Sequence, residues 1–300
     1  QLEQPFRATI PCMDPATGER LGEVPALTPD EVRACVAKAR KAQRDWACTP
    51  FSERRKVLAR LLELLIDRAD ALCELICRDA GKTLHNAMLG EVWPIAEKLR
   101  WTINEGEGYL RSHTVSSGLL VHKRARVEYR PLGVIGVITP WNFPLQNILG
   151  PTIPALFAGN AVIIKVSEWT SWSVAPFQEL IDRAFKDCGY SPDLVQILTG
   201  YADTGAALVN GGVDKIVFTG SMANGKRVLE ASAKTLTPVI LELGGKDPMI
   251  VCDDADLDQA AHAAVSAAFI ASGQMCLAAE RVLVFDAVHD EFVAKVQDIT

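Results

Sequence analysis

Between residues 132 and 242 the sequence alternates short apolar runs with amphipathic stretches, and this alternation narrows the folds open to it more than any other feature. The apolar runs are 134–138, 161–166, 194–198, 215–219 and 239–242, with helical patterns between them at 145–158, 171–188, 202–210 and 222–234. Strands short enough to be buried on both faces, each followed by a helix, predict an α/β fold: a parallel Rossmann-type sheet with helices on both faces. In such sheets ligands bind in the crevice outside the carboxyl ends of the strands. Polar residues at those ends are therefore the first candidates for function.

Upstream of the alternation the periodicity is helical. Thr28-Pro29-Asp30-Glu31 predicts a helix start, with Thr as cap, Pro in the first turn and acids at the positive end of the dipole. Ser52 is expected to cap a longer helix reaching Ala80, with Leu58, Leu61, Leu62, Leu65 and Ile66 as its apolar stripe and Gly81 as its stop. A third helical region, 84–110, is interrupted near Trp93-Pro94. Residues 1–27 carry turn signals and short apolar runs, and read as edge strands or a lead-in arm. Residues 119–130 turn strand-like and basic (Lys123, Arg124, Arg126, Arg130), which suits a solvated hairpin used for subunit contact. Beyond Gly245 come a strand at 248–252, a helix from Asp256 to about Ser272, a strand at 281–285 and a helix from about 288. The expected division is 1–118 with 131–244 as a nucleotide-binding domain, 119–130 as a bridging hairpin, and 245–300 as the first part of a second α/β domain.

Composition removes several classes of function. A net charge of −6 offers no basic face, so nucleic acid is not an expected partner. No apolar run approaches the ~20 residues needed to cross a bilayer. The eight cysteines form no C-x-x-C and no His pair stands at zinc spacing, so no metal site is expected, and the cysteine usage suits a reducing compartment, cytoplasmic by default. Cys73 and Cys77, four apart on a helix, read as core. The chain begins Gln1-Leu2-Glu3-Gln4, without a signal pattern or a Met, so an upstream segment is expected.

Five segments could carry chemistry. In Thr139-Pro140-Trp141-Asn142-Phe143-Pro144, two prolines fix a turn that either holds the Asn142 amide toward a developing oxyanion or merely packs Trp141. Lys165 and Glu168, at the end of the second run, can hydrogen-bond ribose hydroxyls or form a surface ion pair. Phe218-Thr219-Gly220-Ser221 leads into a helix containing Gly225 and offers backbone N–H groups to a pyrophosphate, although a single Gly-rich turn is weak evidence. Glu242 in Leu241-Glu242-Leu243-Gly244-Gly245-Lys246 is a possible general base, or a solvated acid at a strand end. Cys276, in the loop Gly273-Gln274-Met275-Cys276, is a possible nucleophile, or a small core residue.

Taken in order, with Glu242 and Cys276 34 positions apart, these segments resemble the NAD(P)-dependent aldehyde dehydrogenase superfamily. Arg78-Asp79-Ala80-Gly81-Lys82-Thr83 and Asn104-Glu105-Gly106-Glu107 further resemble a branch found in plants and fungi. The resemblance implies oxidation of a small-molecule aldehyde to a carboxylic acid with NAD. Cys276 would form a thiohemiacetal and then a thioester, Asn142 would stabilise the oxyanion, and Glu242 would activate the hydrolytic water. It assigns the adenosine ribose to Lys165 and Glu168, the pyrophosphate to Gly220, Ser221 and Gly225, and the cofactor cleft to Trp141 and Leu243. The Glu168 carboxylate would disfavour the 2′-phosphate of NADP. It also implies a homo-oligomer and a longer catalytic domain, so the second domain is expected to be incomplete. Pro151 stands where many members carry a Lys, which removes any proton relay from that position. The alternative is a shortened, non-catalytic nucleotide-binding or interaction protein.

Overall fold

A computed structural model describes residues 8–300. The opening Gln1–Gln4 and the first residues of the expected lead-in arm and nucleotide-binding domain lie outside the described residues. The chain starts with an antiparallel pair, β1 (Thr9–Met13) and β2 (Arg20–Pro25). Helix α1 (Pro29–Ala47) begins at the predicted capping box: Glu31 N–H donates to Thr28 Oγ1 at 3.3 Å, and Thr28 N–H donates to Glu31 Oε2 at 2.8 Å.

The long helix expected next is two helices, α2 (Phe51–Asp67) and α3 (Ala69–Ala80). The break falls at Arg68, which leaves helical geometry (φ −111°, ψ 13°) and pairs with Glu179 at 3.3 Å. Neither Gly nor Pro marks it. Pro50 rather than Ser52 is the cap of α2, and Ser52 lies in its first turn. Leu58, Leu61 and Leu65 are buried as predicted, but Ile66 is 59% exposed because the stripe runs along one side only. Gly81 ends α3 in the left-handed conformation that its missing Cβ permits (φ 67°).

Asp79 of α3 is buried and accepts from the Ser173 N–H at 2.9 Å. Burial pushes its carboxyl above the ordinary carboxylate range, against the lowering effect of its hydrogen bonds to Ser173. A carboxyl raised on folding opposes the fold while ionised, and the opposition fades as pH falls through the folded pKa toward 3.8. Asp79→Asn keeps an acceptor for Ser173 and is expected to raise the melting temperature of the protein at pH 7. Thermal melts across pH 4–8 check this: the gap between variant and parent should close on the acid side.

A short helix α4 (Leu84–Ala87) runs through a π-helical stretch, Met88–Val92, into α5 (Trp93–Leu110). The expected interruption near Trp93-Pro94 is this π-helical turn, whose last N–H, that of Trp93, donates to the Met88 carbonyl; Pro94, next in the same helical run, has no N–H to give. A hairpin follows, but its strands are β3 (His113–Val115) and β4 (Ala125–Val127). The strand expected from Leu119 is instead turn. Leu119 and Val121 are almost fully exposed there, so their apolar character has no sheet face to fill.

The predicted alternation is realised in β5 (Val134–Ile138), α6 (Pro144–Phe157), β6 (Ala161–Lys165), α7 (Val174–Asp187), β7 (Val195–Leu198), α8 (Ala202–Val209), β8 (Lys215–Gly220), α9 (Met222–Ala233) and β9 (Val239–Leu243). The five strands stand in the order β7-β6-β5-β8-β9, and β5 pairs in parallel with both β6 and β8. The chain thus builds outward from β5 on one side and then returns to build on the other, which puts the switch point beside β5. Every residue of β6 is buried, which is why it reads as an unbroken apolar run. Helices α6 and α7 pack on the β6–β7 side of the sheet; α1 and α8 pack against β5 and β6 and against each other, and right-handed crossovers place α8 on the face opposite α6. Helices α2 and α5 form an outer layer on α6.

Two compact units are present: 8–219 with 223–241, and 220–222 with 242–300. The second contains a parallel pair, β10 (Pro248–Val251) and β11 (Arg281–Val284), with α10 (Leu257–Phe269) and α11 (His289–Ile299). Val251, Ala261, Ala264 and Phe292 form its small core. Helix α10 stops at Phe269, three residues before the expected end. Ala271, Ser272 and Gly273 then take left-handed backbone in succession (φ 50°, 59° and 74°), a turn that α10 cannot run through.

Candidate active site

Strand β6 ends in Lys165, whose side chain is only 8% exposed. Its Nζ lies 3.4 Å from Glu168 Oε2, in the single turn of 3₁₀ helix that follows. Burial pulls the Lys165 ammonium below the ordinary lysine range, while Glu168 and Asp203 pull the other way. The pair borders a cleft of about 370 Å³ at the carboxyl ends of β5, β6 and β8, walled by Ile138, Gly205, Val209, Phe218 and Val228. Tyr201, Asn224 and Arg227 also line it; they come from loop and helix surfaces, and nothing in their spacing marked them beforehand. Small residues of α8 and α9 (Gly205, Ala206, Ala231) keep the walls flat.

Strand β5 leads through the buried Thr139 into the turn holding Trp141 and Asn142. Thr139 N–H donates to the Lys165 carbonyl at 3.0 Å, so the register of the sheet extends to the edge of the turn. Asn142 is half-buried and its Oδ1 accepts from Asn147 Nδ2 at 3.4 Å, which puts the amide NH₂ on the other branch of the group. Trp141 is 39% exposed. Gly225 is buried on α9; Gly220 ends β8, and Ser221 is exposed just before α9.

Within the second unit, Glu242 is exposed on β9, Leu243 is half-buried beside it, and Cys276 is exposed in a turn closed by the Ala278 N–H on the Met275 carbonyl at 3.1 Å. The segments that carry Glu242 and Cys276 are tied together four residues beyond each. Lys246 Nζ reaches Glu280 Oε2 at 2.6 Å, Arg281 Nε donates to the Lys246 carbonyl at 2.8 Å, and Glu280 N–H donates to the Asp247 carbonyl at 3.0 Å. The Lys246–Glu280 pair that ties these segments together was not singled out in the sequence, because a contact 34 residues apart leaves no periodic signal. The structure therefore brings Lys165 to Glu168 and the Glu242 segment to the Cys276 segment. Asn142, Trp141 and Gly225 belong to the first unit and Gly220, Ser221 and Leu243 to the second, where each is placed as stated.

A doubly wound α/β sheet with a cleft at its switch point, lined by an ammonium–carboxylate pair, is an architecture that binds nucleotides. Residues 3–300 match the model of the aldehyde dehydrogenase family. The chain belongs to that family. It is 40% identical over 290 residues to an aldehyde dehydrogenase-like protein of Schizosaccharomyces pombe, covering 96% of this chain and 56% of that protein. Among solved structures, an NADP-dependent enzyme of E. coli superposes with a TM-score of 0.91 at 35% identity, covering 97% of this chain and 60% of that one. PnpE in complex with nicotinamide adenine dinucleotide superposes equally well, at 30% identity, over 97% of this chain and 59% of its own. The chain thus spans about half the length of the curated relatives it matches. Among the described residues no helix is long and apolar enough to cross a membrane.

Proposed function

We propose that this chain supplies the cofactor-binding floor and the nucleophile of an enzyme that oxidises aldehydes to carboxylic acids with NAD. The observation that carries the reading is the cleft at the switch point with Lys165 and Glu168 on its border, in a chain of this family that also presents an exposed Cys276. The residues present fit a dinucleotide: a donor and an acceptor side by side suit the vicinal hydroxyls of a ribose, and the flat walls made by Gly205, Ala206 and Val228 suit a planar base. Lys165 and Glu168 would hold the adenosine ribose, Gly220, Ser221 and Gly225 would lie by the pyrophosphate, and Trp141 and Leu243 would border the cofactor. When bound, NAD supplies the hydride acceptor.

The chain's own residues do the rest. The Cys276 thiolate adds to the carbonyl carbon, forming a C–S bond and leaving an alkoxide that the Asn142 amide and the Cys276 N–H stabilise as donors. With the carbon oxidised, the acyl group is held on Cys276 as a thioester. Glu242 takes a proton from water, the water oxygen adds to the acyl carbon, and the C–S bond breaks to return the thiolate and release the acid. An NADH-forming assay of the complete natural protein against a panel of aldehydes, run beside iodoacetamide labelling read by peptide mass, tests the reading. Silence with every aldehyde together with an unlabelled Cys276 would end it.

NAD is favoured over NADP because a 2′-phosphate would meet the Glu168 carboxylate. The similar structures include both an NADP-dependent enzyme and a complex with nicotinamide adenine dinucleotide, so the side chain at 168 is the place to look. Glu168→Gln is expected to raise the NADP/NAD ratio of kcat/KM about tenfold, the size of one screened like-charge contact. An unchanged ratio would assign the preference elsewhere.

A further inference from the structure

The first turn of α6, which follows Asn142 directly, has no cap of its own. Its N-cap residue, Phe143, makes no side-chain capping bond, and Pro144 has no N–H to offer. The two N–H groups that follow are taken by a carboxylate from elsewhere in the chain: Glu91 Oε2 accepts from Leu145 N–H at 2.7 Å and from Gln146 N–H at 3.2 Å. The other oxygen, Oε1, accepts from Lys82 Nζ at 2.8 Å. Both side chains are out of solvent, Glu91 at 0% and Lys82 at 4% exposure. Lys82 Nζ also stands 3.4 Å from the centre of the Phe143 ring, close enough for a cation–π contact. Gly90, next to Glu91, leaves room for that ring: a Cβ there would lie 3.1 Å from Phe143 Cε1.

One buried ion pair therefore grips both Phe143 and the helix turn after it, on the C-terminal side of Asn142. On the N-terminal side the turn is anchored by the Thr139–Lys165 backbone bond. Asn147, whose amide holds Asn142 Oδ1, lies one residue beyond the capped N–H groups. We propose that Lys82 and Glu91 are positioning residues for the Asn142 donor, fixing the turn between β5 and α6 so that the amide is aimed before substrate arrives. The proposal rests on the reading of Asn142 as an oxyanion donor. A preorganised donor acts only if its supporting contacts leave it little freedom, and a buried, fully hydrogen-bonded pair is the strongest such support available to a loop. Glu91 also lies within the π-helical stretch, a kind of irregularity that is frequent at functional sites.

The test is kinetic and uses the complete natural protein, with aldehyde oxidation measured well below the melting temperature of each variant. Lys82→Met/Glu91→Leu removes both charges and the cap without leaving a lone buried charge. It is expected to lower kcat about tenfold with KM for the aldehyde nearly unchanged. Lys82→Met/Glu91→Gln returns a carbonyl acceptor to the α6 N–H groups and should recover most of that loss, which a general loss of packing would not do. In an Asn142→Ala background, where the donor is already gone, Lys82→Met/Glu91→Leu should change kcat less than twofold. A tenfold loss in both backgrounds, or no loss in the parent while Asn142→Ala itself is impaired, overturns the proposal. An Asn142→Ala protein with full kcat instead overturns the reading of Asn142 as donor. If Lys82→Met/Glu91→Leu does not fold, Lys82→Arg, whose bulkier head must displace the Phe143 ring or the Glu91 carboxylate, carries the comparison in the parent and Asn142→Ala backgrounds with the same outcomes.

Discussion

Replacing Cys276 with serine is expected to lower kcat for aldehyde oxidation by about 10⁴-fold or more, with binding of the dinucleotide retained. The size follows from what a nucleophile contributes when removed alone: the remaining binding and oxyanion contacts give only residual catalysis. The selectivity follows from the layout. Cys276 is exposed in a turn of the second unit, whereas the Lys165–Glu168 cleft is lined by residues of the first. Loss of the thiol should leave that cleft untouched. Steady-state rates paired with a fluorescence titration of NAD measure both quantities on one preparation. Full activity in the serine variant would remove Cys276 from the mechanism, and equal loss of rate and of dinucleotide binding would show that the substitution had damaged the fold.

The largest expected effect on stability is at Lys82. Lys82→Met alone leaves Glu91 fully buried with its main counter-charge gone, and breaking one side of a buried pair typically costs about 3–5 kcal/mol. Burial already pushes the Glu91 carboxyl upward and the Lys82 ammonium downward, against the mutual attraction that holds both charged. The double change Lys82→Met/Glu91→Gln should restore most of the lost stability, since replacing both charges by neutral groups of similar size is often close to neutral. Urea unfolding of the two variants beside the parent gives the comparison directly. If the single variant loses no more than the double, the pair contributes little and the α6 cap alone accounts for Glu91.

The strands of the sheet were legible because β5 and β6 are buried on both faces, and such strands have no choice but to be apolar throughout. Helix α1 was legible because its cap is local, a contact between residues three apart. The break at Arg68 was not legible, because it goes with a partner, Glu179, that lies 111 residues away. The hairpin was misplaced for the opposite reason. Its strands are three residues long and mostly exposed, so they carry no hydrophobic period, while the apolar Leu119, Leu120 and Val121 of the connecting turn imitate one. At the candidate site, Lys165, Glu168 and Glu242 could be named from their places at strand ends, and Asn142 and Cys276 from the short turn and loop motifs that hold them. Lys82, Glu91, Lys246 and Glu280 could not, because what distinguishes them is whom they touch.

The π-helical stretch at Met88–Val92 sets where the helical run from Leu84 to Leu110 can change its length. A π turn bonds residue i to i+5 where the α-helix bonds i to i+4, so it stores one residue more than regular winding would use. Removing one residue there would return the turn to α-helical winding and leave α4 and the buried face of α5, with Ile95, Leu99, Thr102 and Gly106, close to their present phase. Removing one residue inside α5 has no such store to draw on, and would turn every later position by about 100°. In comparing relatives, a gap between 88 and 92 is a change of winding, whereas a gap between 95 and 106 is a change in the phase of a helix.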